Sequence, residues 1–87
     1  MAELEKLPNI GKTLAEKLHS IGVNSYDELA ALGSVQAVLH MRTSGLDACI
    51  NTLYAMEGAI RGVRWHFVPD AERQVLKDEL EGFGVEL

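Results

Sequence analysis

From Leu7 to Leu80 the apolar residues recur three or four positions apart, the spacing that collects side chains on one face of an α-helix. Glycine or proline punctuates each recurrence. The first stretch is LPNIGKTLAEKLHSIGV, Leu7 to Val23. Leu14, Ala15, Leu18 and Ile21 fall on one face of it, with Lys12, Glu16, Lys17 and Ser20 off that face. The pattern predicts a tight turn, Pro8-Asn9-Ile10-Gly11, opening into a helix that stops at Gly22. Gly11 is expected to supply the permissive backbone of the turn and Gly22 a left-handed cap. Ser25-x-x-Glu28 is a capping box, and the helix it starts runs from Tyr26 to Leu32 with Tyr26, Leu29 and Ala30 on one side. Gly33 ends it. Ser34 then caps a short helix through Leu39 or His40, with Val35, Val38 and Leu39 facing inward, and Met41 to Gly45 reads as a loop. Helices this short depend on packing more than on propensity.

The longest predicted helix begins near Gly45 or Leu46 and ends near Ile60 or Gly62. Leu46, Cys49, Ile50, Leu53, Met56, Ile60 and Val63 form its apolar stripe, wide enough for a central core helix. Gly58 and Gly62 interrupt it, each at a cost of about 1 kcal/mol against alanine. Close approach of another element at Gly58 and helix termination at Gly62 would compensate. A few extended residues around Trp65 lead to Pro69, and a last helix runs from about Asp70 to Glu81. Ala71, Val75, Leu76 and Leu80 should face inward, with Asp70 as N-cap and an acidic outer face. The expected fold is all-α: one compact domain of five or six short helices around the Leu46–Ile60 helix, with a helix-hairpin-helix or SAM-like arrangement.

The charge pattern bears on function. Net charge is −5. Residues 1–26 balance, with Lys6, Lys12 and Lys17 against Glu3, Glu5 and Glu16, while Asp70, Glu72, Asp78, Glu79, Glu81 and Glu86 concentrate negative charge in the last helix and tail. Duplex DNA binding draws its affinity from neutralised phosphates, so a chain without a basic stripe is poorly equipped for it. No apolar run approaches the roughly 20 residues of a membrane span, and the N-terminus does not read as a signal peptide. A single cysteine, Cys49, forbids an internal disulfide and suits a reducing cytoplasm.

The stretch around Pro8–Gly11 resembles the helix-hairpin-helix motif through Leu7, Pro8, Ile10, Gly11, Ala15 and Leu18, with Met1 to Lys6 as the short first helix. Asn9 stands where such turns usually carry a glycine, and asparagine tolerates the left-handed conformation. LPNIGKTLAEKLHSIGV, SYDELAALGSVQAVLHM and CINTLYAMEGAIRGVRWHFVP together resemble the C-terminal domain of the TfoX/Sxy family over residues from about 5 to 80. That resemblance implies a bacterial regulatory role in natural competence, exercised as a co-regulator with the cAMP receptor protein at competence promoters. It therefore implies a protein partner in transcription. Longer members carry a separate N-terminal domain, for which 87 residues leave no room.

Two clusters are candidate sites. Asn9, Gly11, Lys12 and Thr13 could hold a nucleic-acid phosphate through turn amides and an ammonium group at a helix N-terminus. The same hairpin equally serves as a packing unit that touches no nucleic acid. Arg61, Arg64, Trp65 and His66 form a basic-aromatic cluster suited to a phosphate or an acidic partner. The competing reading puts Trp65 and Phe67 in the core and leaves both arginines complementing a helix dipole. His19, His40 and His66 show no metal-ligand spacing with Cys49 or one another, and Cys49 reads as a buried small hydrophobe. No nucleophile elbow or Walker loop is present, so the residues give no support for an enzyme or a cofactor. The expected function is a non-enzymatic regulatory or adaptor domain working through protein contacts, with weak, sequence-independent DNA binding at the turn as the alternative.

Overall fold

Glycine closes most of the helices. Leu18, at the end of the first periodic stretch, accepts from the Val23 N–H at 2.9 Å, and His19 accepts from the Gly22 N–H at 3.0 Å, a closure that requires the positive φ of 88° found at Gly22. The computed structural model describes residues 2–85. Its elements are α1 (Ala2–Glu5), α2 (Lys12–Ser20), α3 (Tyr26–Leu32), α4 (Ser34–Thr43), α5 (Ile50–Arg61), a 3-10 turn (Trp65–Phe67) and α6 (Asp70–Gly82). The fold is all-α, with no strand among the described residues. Met1, expected in the first helix, lies outside them.

Helix α5 is the centre, packing on α3, α4, α6 and the 3-10 turn. Leu53, Met56, Gly58 and Ala59 are buried on it. One contiguous apolar cluster joins them to Leu4 of α1, Ala15 and Leu18 of α2, Leu29 of α3, Val38 and Met41 of α4, and Leu80 of α6. Polar ties fix the connections between elements. The Tyr26 hydroxyl donates to the Ile60 carbonyl at 2.6 Å, Lys17 Nζ to the Asp47 carbonyl at 2.8 Å, and buried Ser34 Oγ to Glu57 Oε1 at 2.7 Å.

Several boundaries and faces differ from the sequence expectation. Helix α4 continues to Thr43, and Met41, expected in a loop, is fully buried because it extends the Val35–Val38 face by another turn. Gly45, at φ 81°, then closes α4, with Leu46 N–H donating to the Met41 carbonyl at 2.8 Å. That closure keeps Leu46–Cys49 out of the next helix, so α5 starts at Ile50 and α6, not α5, is longest, with 13 residues against 12. Cys49 is consequently the exposed N-cap of α5 and not a buried hydrophobe. The Thr52 hydroxyl accepts from the Cys49 N–H and contacts its sulfur, and this hydrogen bonding holds the thiol below its usual pKa.

The capping box at Ser25 forms one arm as expected, Glu28 N–H to Ser25 Oγ at 3.2 Å, while the Glu28 carboxylate reaches one residue further, to the Asn24 N–H at 2.9 Å. Ala30 is exposed; Leu29 alone carries the fully buried face of so short a helix. On α6 the N-cap is Pro69, whose carbonyl accepts from Glu72 and Arg73, and Asp70 is the first helical residue. Leu80 is buried and Leu76 half-buried, but Ala71 and Val75 face solvent, Val75 at 61% exposure. Arg73 takes the inward position instead. The extended segment expected around Trp65 is a 3-10 turn, and the core reading of its rings fails: Trp65 is 37% and Phe67 69% exposed, and Val68 at 1% is the residue that anchors the segment.

Candidate functional site

The turn ahead of α2 owes its shape to Asn9. The positive φ lies there, at 68°, whereas Gly11 has φ −97° and ψ −173°, extended backbone that any residue adopts. The expectation of a special backbone at Gly11 is therefore corrected. Asparagine tolerates the left-handed region, and its amide does what glycine in that place could not. Asn9 Nδ2 donates to the Val63 carbonyl at 2.9 Å and to the Ala55 carbonyl at 3.3 Å, and Oδ1 accepts from the Trp65 N–H at 3.1 Å. One side chain thus clasps the turn to α5 and to the segment that leaves it. Asn9 is a positioning residue, since both polar atoms of its amide are used internally.

The clasp needs Gly58. A Cβ at that position would stand 2.6 Å from Asn9 Nδ2, 2.7 Å from the Val63 carbonyl oxygen and 3.0 Å from the Trp65 Cα. The close approach expected at Gly58 is present, made by the turn and the 63–65 segment and not by a second helix. Asn9→Gly keeps the permissive backbone and removes the clasp, leaving the Trp65 N–H and the Val63 carbonyl to find other partners. A loss of about 1–2 kcal/mol is expected in urea denaturation. An unchanged midpoint with unchanged slope would show that the clasp contributes no net stability.

Joining these segments brings Arg64 of the second sequence cluster beside Asn9 and Gly11 of the first. A shallow concavity is lined by Lys6, Leu7, Pro8, Asn9, Ile10, Gly11 and Arg64. Lys6 and Arg64 are exposed and have no ion-pair partner among the described residues. The backbone N–H groups of Gly11, Lys12 and Thr13 meet no acceptor among those residues either. Helix α2 has no side-chain cap and no acid in its first turn, where α3 is capped by Ser25 and α6 begins with Asp70 and Glu72. Its positive dipole end, with exposed Lys12 beside it, is left for solvent or an anion.

Arg61 does not join this site. It donates to Glu57 at 2.7 Å and Glu72 at 2.6 Å, tying α5 to α6, and both carboxylates raise its pKa. Arg64, three residues on, is the unpaired one. Trp65 stands beside it with its ring nearly parallel to that of Tyr54, at 15° and 6.2 Å between centroids. The Arg73 guanidinium, paired with Asp70, lies 5.4 Å from the Trp65 ring centre and 5.5 Å from that of Tyr54. His66 meets Trp65 edge-on at 5.8 Å and Phe67 at 4.6 Å. Arg64, Trp65, His66 and Phe67 therefore form a cation and three rings on one exposed turn.

Sequence reasoning missed Lys6, Tyr54 and Arg73. Arg73 carries a signal: with Leu76 and Leu80 it occupies the i, i+3, i+7 spacing of an inward face, where a cation must find a ring or a carboxylate. Among the described residues no three His, Cys, Asp or Glu side chains converge as a metal site would require, and no helix is long and apolar enough to cross a membrane.

The fold has counterparts among solved structures. A crystal structure of an uncharacterized protein from Listeria monocytogenes, triclinic form, is 37% identical, with a TM-score of 0.85 over 93% of this chain and 92% of that one. A protein of unknown function from Listeria monocytogenes, in a tetragonal form, is also 37% identical, with a TM-score of 0.82 over 90% of this chain and 96% of that one. No curated protein matches the chain. The model of the TfoX C-terminal domain matches residues 1–80, a span that holds the turn, the Asn9 clasp, α5 and nearly all of α6. With that match over almost its whole length, the chain belongs to the TfoX C-terminal domain family.

Proposed function

We propose that the chain is a non-enzymatic regulatory domain of the kind associated with natural competence and transcription, an adaptor recruited by a protein partner that adds a weak, sequence-independent hold on nucleic-acid backbone. The observation that carries the nucleic-acid part is the convergence of Lys6 and Arg64 on a turn followed by unpaired amides at Gly11–Thr13. Charged side chains at fixed points and N–H groups at a helix start are what a phosphate diester backbone recognises. Family membership supports the regulatory part. Such a domain works in the cytoplasm, beside the DNA it helps to regulate.

Magnitudes explain why a partner is needed. Lys6, Lys12 and Arg64 can neutralise about two or three phosphates, for a log–log salt slope of only about −2 to −3. The acidic face of α6 opposes approach, within a screening length of about 8 Å at physiological salt. A partner already on the DNA would supply the effective concentration that these contacts lack.

The test is fluorescence anisotropy with a short labelled duplex. Binding should be undetectable near 150 mM salt and weak, without sequence preference, near 20 mM. Lys6→Glu combined with Arg64→Glu should remove the low-salt binding without moving the thermal midpoint, because both side chains are exposed. Lys12→Glu should do the same if the α2 N-terminus takes part. Tight, sequence-selective binding by the chain alone would overturn the adaptor reading. Absence of binding at the lowest salt would leave protein contacts as its whole function.

A further inference from the structure

We infer that the site prefers a single-stranded nucleic acid to a duplex, with the exposed rings of the Trp65–Phe67 turn stacking on bases while Arg64 and Lys6 meet phosphates. The inference rests on the backbone-binding reading above and names its ligand class.

Burial would favour these rings inside, yet the turn buries none of its own residues, only Val68 just after it, and leaves Phe67 69% and Trp65 37% exposed. A protein that grips only the outside of a duplex has no use for exposed rings, because paired bases hide their faces in the stack. A single strand offers those faces, and aromatic platforms next to a cationic track are how proteins hold it without reading sequence. Here the platform and the cation are continuous in the chain. A 3-10 turn rises about 2 Å per residue, so Arg64 and Phe67 are separated by roughly 6 Å along it. A phosphate on Arg64 and a base on Phe67 can belong to the same or adjacent nucleotides.

The platform is also held in advance of binding. The Trp65 N–H is fixed by Asn9, the Phe67 N–H donates to the Arg64 carbonyl at 2.9 Å, and the Trp65 ring is braced by Tyr54 and Arg73. Little ordering is left to be done when a ligand arrives. Arg73 pairs with Asp70, and Arg61 is shared between Glu57 and Glu72, so pairing reduces but does not remove the negative charge at the near end of α6, and the unpaired Arg64 is the cation a strand crossing the turn meets. Exposed rings beside arginine also suit protein hot spots. Their continuity with the Lys6–Arg64 concavity is what favours a nucleic acid.

The whole chain should be titrated at low salt with a labelled oligothymidine of about 15 nucleotides and with a duplex of the same length. The single strand is expected to bind about tenfold or more tighter, the worth of one stacked base. It should quench the fluorescence of Trp65, the only tryptophan, while the duplex does not. Phe67→Ala should weaken single-strand binding about tenfold and leave duplex binding within about twofold, with an unchanged thermal midpoint as the folding control. Arg64→Glu should weaken both. Equal affinity for the two forms, indifferent to Phe67→Ala, would overturn the single-strand inference while the backbone-binding reading stands. Failure to bind either form would overturn both and assign the rings to a protein partner.

Discussion

Replacing Gly58 by alanine is expected to destabilise the domain by about 2–4 kcal/mol, opposite in sign to its effect on an isolated helix. Propensity alone would favour alanine in mid-helix by about 1 kcal/mol. Packing decides otherwise, because the new methyl would stand 2.6 Å from Asn9 Nδ2, 2.7 Å from the Val63 oxygen and 3.0 Å from the Trp65 Cα. Two of those three atoms are backbone and cannot rotate away. The third can move only by giving up the Asn9 hydrogen bonds, each worth about 1 kcal/mol net. The segment carrying Arg64 and the exposed rings would be displaced with them, so nucleic-acid binding should weaken even where the domain stays folded. Urea denaturation of Gly58→Ala, alone and combined with Asn9→Gly, measures the coupling. The alanine should cost less once the Asn9 amide is gone, though not nothing, because the backbone contacts remain. A stabilised Gly58→Ala would mean that the turn and the 63–65 segment do not approach α5.

That clasp also marks where sequence reasoning stopped. Gly22 and Gly62 were legible as helix ends because a positive φ is written into the residue type. The turn before α2 carries the same requirement, but two of its residues could meet it, and nothing local says that Asn9 does so in place of Gly11. What decides is the reach of the Asn9 amide to Val63, 54 residues away, where a glycine would have left two polar groups unpaired. Gly58 announces that something comes close and is silent about what. The pairing of the arginines is readable from the sequence. Glu57 and Arg61 stand at the i, i+4 spacing of a helical ion pair, which singles out Arg64 as the one left over. The rings were harder. Hydrophobicity places Trp65 and Phe67 inside, and only the packing of Arg73 against Tyr54 and Trp65 shows why Trp65 stays at the surface. Cys49 was misplaced for a related reason: it continues an apolar stripe in phase, but Gly45 ends the preceding helix too late for the next to include it.

Leu53→Ala is the second substitution of large expected effect, with a loss of about 2–5 kcal/mol. Leu53 is fully buried on α5, the element that α3, α4, α6 and the 3-10 turn all pack against. Truncation removes apolar burial and leaves a cavity whose walls belong to several elements, so no single helix can move to fill it. A domain of this size has roughly 4–13 kcal/mol of stability in all, and each lost kilocalorie lowers the thermal midpoint by about 4–8 °C. The expected fall is therefore about 8–40 °C, enough in the upper range to leave much of the protein unfolded at growth temperature. Val75→Ala is the control that gives this number meaning. Periodicity puts Val75 on the inward face of α6, but it is 61% exposed, and its truncation should change stability by less than about 0.5 kcal/mol. If Val75→Ala cost as much as Leu53→Ala, α6 would be packing by the Val75 face, Arg73 would not lie against Tyr54 and Trp65, and the brace under the exposed rings would be lost with it.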